Sequence, residues 1–475
     1  MKKTIVEQLA AFAATTTFES LPEAVVMESK RALLDSIGCA VAATGEPKGI
    51  AGVEYARVLG GSNPESTIFG TNQRASAIGA AFANGELVSA LDMDAILAPG
   101  HVSPYVIPGA VAIGESVGSS GKELLASLAI AHEMSNRFGK AMDNQRLIKD
   151  GKVSPPPVFG YASTIFGATA AIARLQNQSS ETTAHSLGIA GCISPVNSQI
   201  AWFEHAPSST IKYLMAGMLA QQAFTAAYMG KLGHRGDLQV LDDSLYGYPR
   251  FIGSTRWAPE QLTLNLGSQW YFPAESVYKP YPHCRIMHAM MDCVIKVIQE
   301  HSIKPDEIES LKVYVEGIAE RPCWLNRKIE HVQDAQFSMA HGMSVAAHLI
   351  PPGKAWQDPK IVYDPSVMSL MDRITTEVHP DYAKALTGNA ASRPARIELR
   401  ARGQNFIEEK NYPKGSPSPD PTTFMTNEEL AQKFRNNANG VLTKDKTERL
   451  IDAVWNLERF ESVASAISLA GTGNG

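Results

Sequence analysis

No apolar run in this 475-residue chain approaches the roughly 20 residues that a bilayer-spanning helix needs, so a membrane-embedded protein is not expected. Cysteine is scarce. Cys39, Cys192, Cys284, Cys293 and Cys323 are odd in number, widely scattered and without a C-x-x-C pair, which excludes a disulfide framework and points to free thiols in a reducing compartment. A surplus of basic charge is missing too: the net charge is -5 and no basic stripe interrupts the chain, which argues against nucleic acid as the main partner. An anionic small molecule stays compatible with that total, because local cations decide such binding. The opening Met1-Lys2-Lys3-Thr4-Ile5-Val6-Glu7-Gln8 turns acidic and amphipathic too early for a secretory leader, so a cytoplasmic protein is expected.

The composition, 44% apolar and 19% charged, is that of a soluble enzyme, and the length exceeds one ordinary hydrophobic core, so two domains are expected. Helical periodicity dominates the first 260 residues. In the span 22–43, Leu33, Leu34, Ile37, Ala40 and Val41 recur at helical spacing, with Glu28, Lys30, Arg31 and Asp35 among the rest. Further helices are expected at 5–14, 50–59, 75–90, 122–138, 162–174, 181–190 and 211–229, many rich in Ala and Gly on several faces. Near Gln261 the period changes to two: Leu262, Leu264 and Leu266, then Leu311, Val313 and Val315, then Ile397, Leu399 and Ala401 alternate with polar residues and read as half-buried strands. Helical segments at 286–303 and 336–349 lie between them, and Arg402-Gly403-Gln404-Asn405 reads as a hairpin turn. After a proline-rich connection, Thr426 with Glu429 forms a capping-box signal and the chain returns to helix, ending in a flexible tail at 471–475. The fold class expected is mainly α: a large all-helical domain (1–261 plus 411–475) with a smaller inserted α+β lid domain (262–410).

Several motifs fail on inspection. His132-Glu133-Met134-Ser135-Asn136 has Asn136 where a zinc-protease helix needs its second histidine. Gly118-Ser119-Ser120-Gly121-Lys122 lacks the first glycine of a phosphate loop, and no strand precedes it. Gly471-Thr472-Gly473-Asn474-Gly475 cannot open a nucleotide-binding helix. No Cys and His set has metal-site spacing, so neither a metal nor an organic cofactor is expected.

Three segments carry chemistry. Leu91-Asp92-Met93-Asp94-Ala95-Ile96-Leu97-Ala98-Pro99-Gly100-His101 places two carboxylates and a histidine in a break between two apolar helices, with Pro104 and Pro108 read as preceding the second helix. Lys279-Pro280-Tyr281-Pro282-His283-Cys284-Arg285-Ile286-Met287-His288 holds the densest cluster of cations and imidazoles. Lys212, in Ser208-Ser209-Thr210-Ile211-Lys212-Tyr213, reads as near the start of a long apolar helix, where an anion would be welcome. Together these parts suit proton transfer at a carbon next to a carboxylate: the anion formed piles charge onto an existing one, so the site must neutralise the substrate and then offer a base. Asp92 or His101 is the candidate base, and Lys212, Lys279 and His288 are candidates to bind carboxylates.

These residues resemble the MmgE/PrpD family, which includes 2-methylcitrate dehydratases, cis-aconitate decarboxylases and iminodisuccinate epimerases. The resemblance runs nearly end to end, through Arg31-Ala32-Leu33-Leu34-Asp35-Ser36-Ile37-Gly38, Asn84-Gly85 before Asp92 and Asp94, Gly100-His101, Thr210-Ile211-Lys212-Tyr213, Lys279-Pro280-Tyr281-Pro282, Gln336-Phe337-Ser338, Lys414-Gly415 and Lys433-Phe434. It implies a helical domain formed from both ends of the chain, a cofactor-free active site at the interface with the lid, and a homodimer. By position it implies functional roles for Asp92, His101, Lys212, Lys279 and His288; the catalytic set expected is Asp92, His101, Lys212 and His288, with substrate binding expected of Asp94, Lys279, His283 and Arg285. Departures are visible: Ala95 and Ser89 stand where many members have an aspartate and a histidine, no histidine occurs in Pro155-Pro156-Pro157-Val158-Phe159-Gly160-Tyr161, and no tyrosine occurs in Cys323-Trp324-Leu325-Asn326-Arg327, where the decarboxylase branch has one. The function expected is a lyase of a small di- or tricarboxylate, foremost a hydro-lyase of the 2-methylcitrate dehydratase kind. An epimerase, a decarboxylase and a catalytically idle carboxylate binder are the alternatives.

Overall fold

The computed structural model describes residues 3–60, 63–196 and 199–473; Met1-Lys2 of the opening and Asn474-Gly475 of the expected tail lie outside them. The protein is mainly α. The helices Ile5–Thr15, Glu23–Ala42, Pro47–Gly60, Ala77–Ala90, Ser103–Val117, Gly121–Ala141, Thr164–Leu175, Ser180–Ile193 and Ala216–Lys231 follow in order, close to the expected positions. Small residues let these helices approach one another. A Cβ built on Gly85 would lie 3.1 Å from the Gly217 nitrogen and 3.3 Å from the Pro104 carbonyl oxygen, so three helices meet at a point that tolerates little side-chain bulk. The chain's end returns to its beginning: Thr426 caps Asn427–Ala438 through the Glu429 N–H, and this helix packs on Glu23–Ala42.

Among the described residues one four-stranded sheet occurs, in the order Gln404–Lys410, Ala395–Ala401, Ile308–Val315, Ile374–Val378. The first two strands form the hairpin expected at Arg402-Gly403, whose φ angles of 54° and 71° suit the tight turn between twisted strands. Ile374–Val378 pairs parallel to Ile308–Val315 and was missed, since Ile374-Thr375-Thr376-Glu377-Val378 offers little apolar alternation. The helix His288–His301 packs on the two hairpin strands.

Four readings need correction. Leu262, Leu264 and Leu266 form no strand: Pro259 leads into the short helix Glu260–Thr263, and positive φ at Asn265 and Gly267 turns the chain away. Pro108 lies inside Ser103–Val117 rather than before it; its ring removes one bond, to the Pro104 carbonyl, in a helix held by its burial. The helix expected from 211 starts at Ala216, because Lys212 adopts φ 62° and breaks the register. The tail is tethered through Gly473, as Thr472 N–H donates to Thr71 O at 2.8 Å and Lys446 Nζ to Gly471 O at 3.0 Å. Among the described residues no helix is long and apolar enough to cross a membrane, and all five cysteines are free.

Candidate active site

The loop after Ala77–Ala90 is held from four distant parts of the chain. Helix C-terminal carbonyls lack intrahelical partners. Here Lys212 Nζ donates to Ser89 O at 2.7 Å and to Ala90 O at 3.3 Å, and Gln336 Nε2 donates to Ala90 O at 2.9 Å. Lys433 Nζ reaches Met93 O at 2.8 Å while paired with Asp35 at 2.6 Å. Ile96 and Val277 exchange two backbone hydrogen bonds of 2.8 Å, which lays the Asp92 loop beside the Lys279 segment. Asp92 itself has φ 51°, a left-handed conformation that costs a non-glycine residue energy and persists where its surroundings impose it.

Asp92 is buried between two lysines. Its Oδ2 accepts from Lys279 Nζ at 2.8 Å, while Oδ1 lies 3.7 Å from Lys212 Nζ and accepts from the Tyr213 hydroxyl at 3.3 Å. Burial opposes ionisation, but Lys279, Lys212 and His101 outweigh it and hold the carboxyl well below the usual carboxylate range. Burial lowers Lys212 to about 8, against the pull of Asp92 and with help from the neighbouring charge of Lys48. Asp94 Oδ2 lies 2.6 Å from His101 Nδ1. Burial opposes ionisation of Asp94 as well, yet the adjacent His101 ring and its hydrogen bond hold it below its ordinary value. This contact makes Nδ1 the donor and leaves Nε2 as the ring nitrogen that can act on a substrate. The ring stacks on Tyr213 with centroids 4.6 Å apart and meets Tyr161 edge-on at 5.9 Å. Gly100 makes that approach possible, since a Cβ there would fall 1.6 Å from the Tyr161 ring.

These groups border a cavity of about 760 Å³ lined by Asp92, His101, Tyr161, Tyr213, Trp202 and Trp324, together with Phe159, Phe337, Arg146, Cys284, Arg285 and Arg393. Lys212, Lys279, Asp94, His283 and His288 are not among the lining residues; they stand behind the wall. The cationic role expected of the two imidazoles does not match their surroundings. Burial, with His341 nearby, pushes His283 down to about 3, and burial with the charges of Arg285 and Lys279 pushes His288 well below its ordinary value, so both are neutral. His288 Nε2–H donates to His283 O at 3.0 Å and its ring packs edge-on against Tyr281, the bonding of a brace. The aromatic wall, Arg146 and Arg393 escaped sequence reading, because isolated aromatics and arginines carry no spacing signal.

Asp92, Asp94 and His101 offer three possible metal-ligand atoms within 4.8 Å of one another. A divalent ion there would face the ammonium groups of Lys279 and Lys212, which already engage Asp92, so the donor set fits a metal poorly. The charge pattern suits proton transfer instead. His132-Glu133 is structural: His132 Nδ1 donates to Leu128 O at 2.8 Å and Glu133 pairs with Arg137 at 2.7 Å.

The sequence pattern of the MmgE/PrpD N-terminal domain matches residues 7–260, and that of the MmgE/PrpD C-terminal domain matches residues 281–459. The chain belongs to the MmgE/PrpD family. Similar MmgE/PrpD proteins include cis-aconitate decarboxylase of Mus musculus, 26% identical with 97% of this chain and 92% of the relative covered, and that of Homo sapiens, 26% identical with 99% and 95% covered. Cis-aconitate decarboxylase of Aspergillus terreus is 21% identical, with 98% and 96% covered. In this MmgE/PrpD chain Tyr161 and Trp324, within the two segments noted for a missing histidine and a missing tyrosine, both border the cavity.

Proposed function

We propose that this protein is a lyase of a small di- or tricarboxylate, in which His101 Nε2 removes a proton from the carbon next to a carboxylate. The observation that carries the reading is the 2.6 Å contact between Asp94 and His101 on the wall that also holds the Asp92–Lys279 pair. Asp94 fixes the tautomer and stabilises the imidazolium, as a carboxylate does for any histidine base. Lys212 and Lys279 offset the charge of Asp92, so that an incoming carboxylate is not repelled. The Tyr213 hydroxyl borders the cavity and donates to Asp92, which lies against Lys212; turned to the leaving oxygen, the hydroxyl gives up its own proton, and Lys212 replaces that proton through Asp92. The C–H electrons form the new double bond, the C–O bond breaks, and water departs. The reaction proposed is therefore a dehydration that uses neither metal nor organic cofactor. His283 and His288 act by positioning the Lys279 and Arg285 segment, and residues 262–410 serve as a lid.

Decarboxylation is the second reading, supported by the names of the relatives and by the aromatic wall of Trp202, Trp324, Phe159 and Phe337, against which a carboxylate loses its hydration. A nuclear magnetic resonance screen of di- and tricarboxylates in heavy water tests both. Deuterium entering next to a carboxylate is expected, and release of water or of carbon dioxide separates the two. Binding that raises the melting temperature without any exchange or turnover would overturn the catalytic reading. Loss of turnover in His101→Ala and Lys212→Ala, with the fold retained, is expected; full turnover in both would overturn the site.

A further inference from the structure

The same cavity has a second charged end. Arg146, Arg285 and Arg393 all border it, and one carboxylate serves the three. Arg146 takes Glu316 in a two-pronged ion pair, with Nε at 2.7 Å, while Arg393 Nε lies 4.0 Å from the same carboxylate. Glu316 is 2% exposed on its side chain. Burial opposes its ionisation, yet Arg146, then Arg393 and Arg285, hold it below the ordinary range. Arg393 Nη1 donates to two backbone carbonyls, Ala390 O and Ser392 O, and Arg285 Nη2 donates to the Ser416 hydroxyl. None of these acceptors carries charge. Arg285 Nη1 and Arg393 Nε are covered and have no hydrogen-bond partner.

The other charges near the cluster are already spent. Asp292 pairs with Lys410 at 2.9 Å and accepts from the Tyr281 hydroxyl and the Lys414 N–H. Lys140 and Glu275, also on the cavity wall, neutralise each other at 2.5 Å. Three guanidiniums against one carboxylate therefore leave two positive charges beside the cavity. A guanidinium cannot shed its proton to relieve this, and an unpaired buried donor is costly. Burial and repulsion from Arg146 leave Arg393 at about 9, and burial, against the pull of Asp292, leaves Arg285 at about 10, both below the ordinary value.

We propose that Arg285 and Arg393, braced by the Arg146–Glu316 pair, form a subsite for a second anionic oxyacid group of the ligand, in the same cavity that Asp92 and His101 line. The inference rests on the carboxylate-lyase reading and narrows it: the substrate spans the aromatic wall with one carboxylate at the reacting end and a carboxylate or phosphate at the other. Planar two-oxygen anions fit guanidinium forks, which a lone lysine could not match.

Calorimetric titration with butanoate, glutarate, propane-1,2,3-tricarboxylate and 3-phosphonopropanoate tests it, on wild type, Arg285→Gln, Arg393→Gln and the two lysine replacements. Wild type is expected to bind glutarate or the tricarboxylate about tenfold or more tightly than butanoate. That ratio is expected to fall toward one in each glutamine variant and to recover in part with lysine. Arginine dependence confined to the phosphonate would assign the subsite to a phosphate-bearing ligand. Unchanged ratios in both glutamine variants, or no binding by any of the four ligands, would overturn the proposal. The ratio is internal to each variant, so a partly destabilised protein still reports it. Deuterium exchange, scored separately, decides the lyase reading: exchange without arginine dependence keeps that reading and removes the subsite, and arginine dependence without exchange does the reverse.

Discussion

One cavity has two charged ends built on opposite principles. At the Asp92 end, Lys212 and Lys279 meet Asp92 and Asp94, and charges balance within the protein. At the arginine end, Arg146, Arg285 and Arg393 share Glu316 as the one carboxylate without a lysine of its own, while Asp292, which also acts on Arg285, is paired with Lys410. A balanced cluster holds its groups in a fixed geometry and a defined starting protonation state, which is what a proton-transfer centre needs. An unbalanced one stores demand for a counter-charge, which is what a binding subsite needs. The Asp92 cluster and Glu316 are buried while the three arginines are half-buried, and the count of partners separates the two ends further.

The sharpest way to break the comparison is at the imidazole. His101→Ala and Asp94→Asn are expected to lower kcat by about 10²–10⁴-fold with KM little changed, whereas Arg393→Gln should raise KM first. Steady-state kinetics on a substrate found by the exchange screen measures the split. Equal effects at both ends would erase the distinction between chemistry and binding.

Stability provides the next contrast. Lys279→Met removes a partner from a buried pair and is expected to cost roughly 3–5 kcal/mol in urea unfolding, because Asp92 loses its 2.8 Å contact. Arg285→Gln is expected to cost no more than about 1 kcal/mol, since the loss of its Ser416 bond is offset by relief of repulsion from Arg146. A larger loss for Arg285 would show that its charge is balanced after all.

The pH dependence follows from Lys212. Its value of about 8 in the fold lies below its ordinary 10.5, so between those values the unfolded chain binds more protons than the folded one. Folding stability therefore carries a penalty below about pH 8 that is relieved as pH rises toward 10.5. If Lys212 supplies the proton to hydroxide, kcat falls as pH rises through about 8, and Lys212→Arg moves that limb upward. A pH profile of kcat with unfolding curves at matched pH checks both signs. The smallest effect is expected at Lys140→Ala. Its pair with Glu275 is partly exposed and locally neutral, so stability should change by at most about 1 kcal/mol and ligand affinity should hold, as calorimetry would show.

Much of the helical body was legible because burial imposes its period on the sequence. The Ala77–Ala90 and Glu23–Ala42 helices, the Thr426 cap and the Arg402-Gly403 hairpin lie where local pattern put them. Leu262, Leu264 and Leu266 misled because three residues at period two are too few to outweigh the turn made by Asn265 and Gly267. Lys212 misled because its backbone conformation comes from contacts with Ser89 and Ala90, more than a hundred residues away.

By itself the sequence singled out candidate side chains: Asp92, Asp94, His101, Lys212 and Lys279 stand out by residue type and by loop or turn context. Tertiary structure alone decided what each one faces. It set Asp94 behind His101, buried His283 and His288 as neutral groups, and gathered Arg146, Arg285 and Arg393 from distant segments around Glu316. The physical reason is that pairing, burial and ionisation depend on distances across the fold, which are not encoded in spacing along the chain.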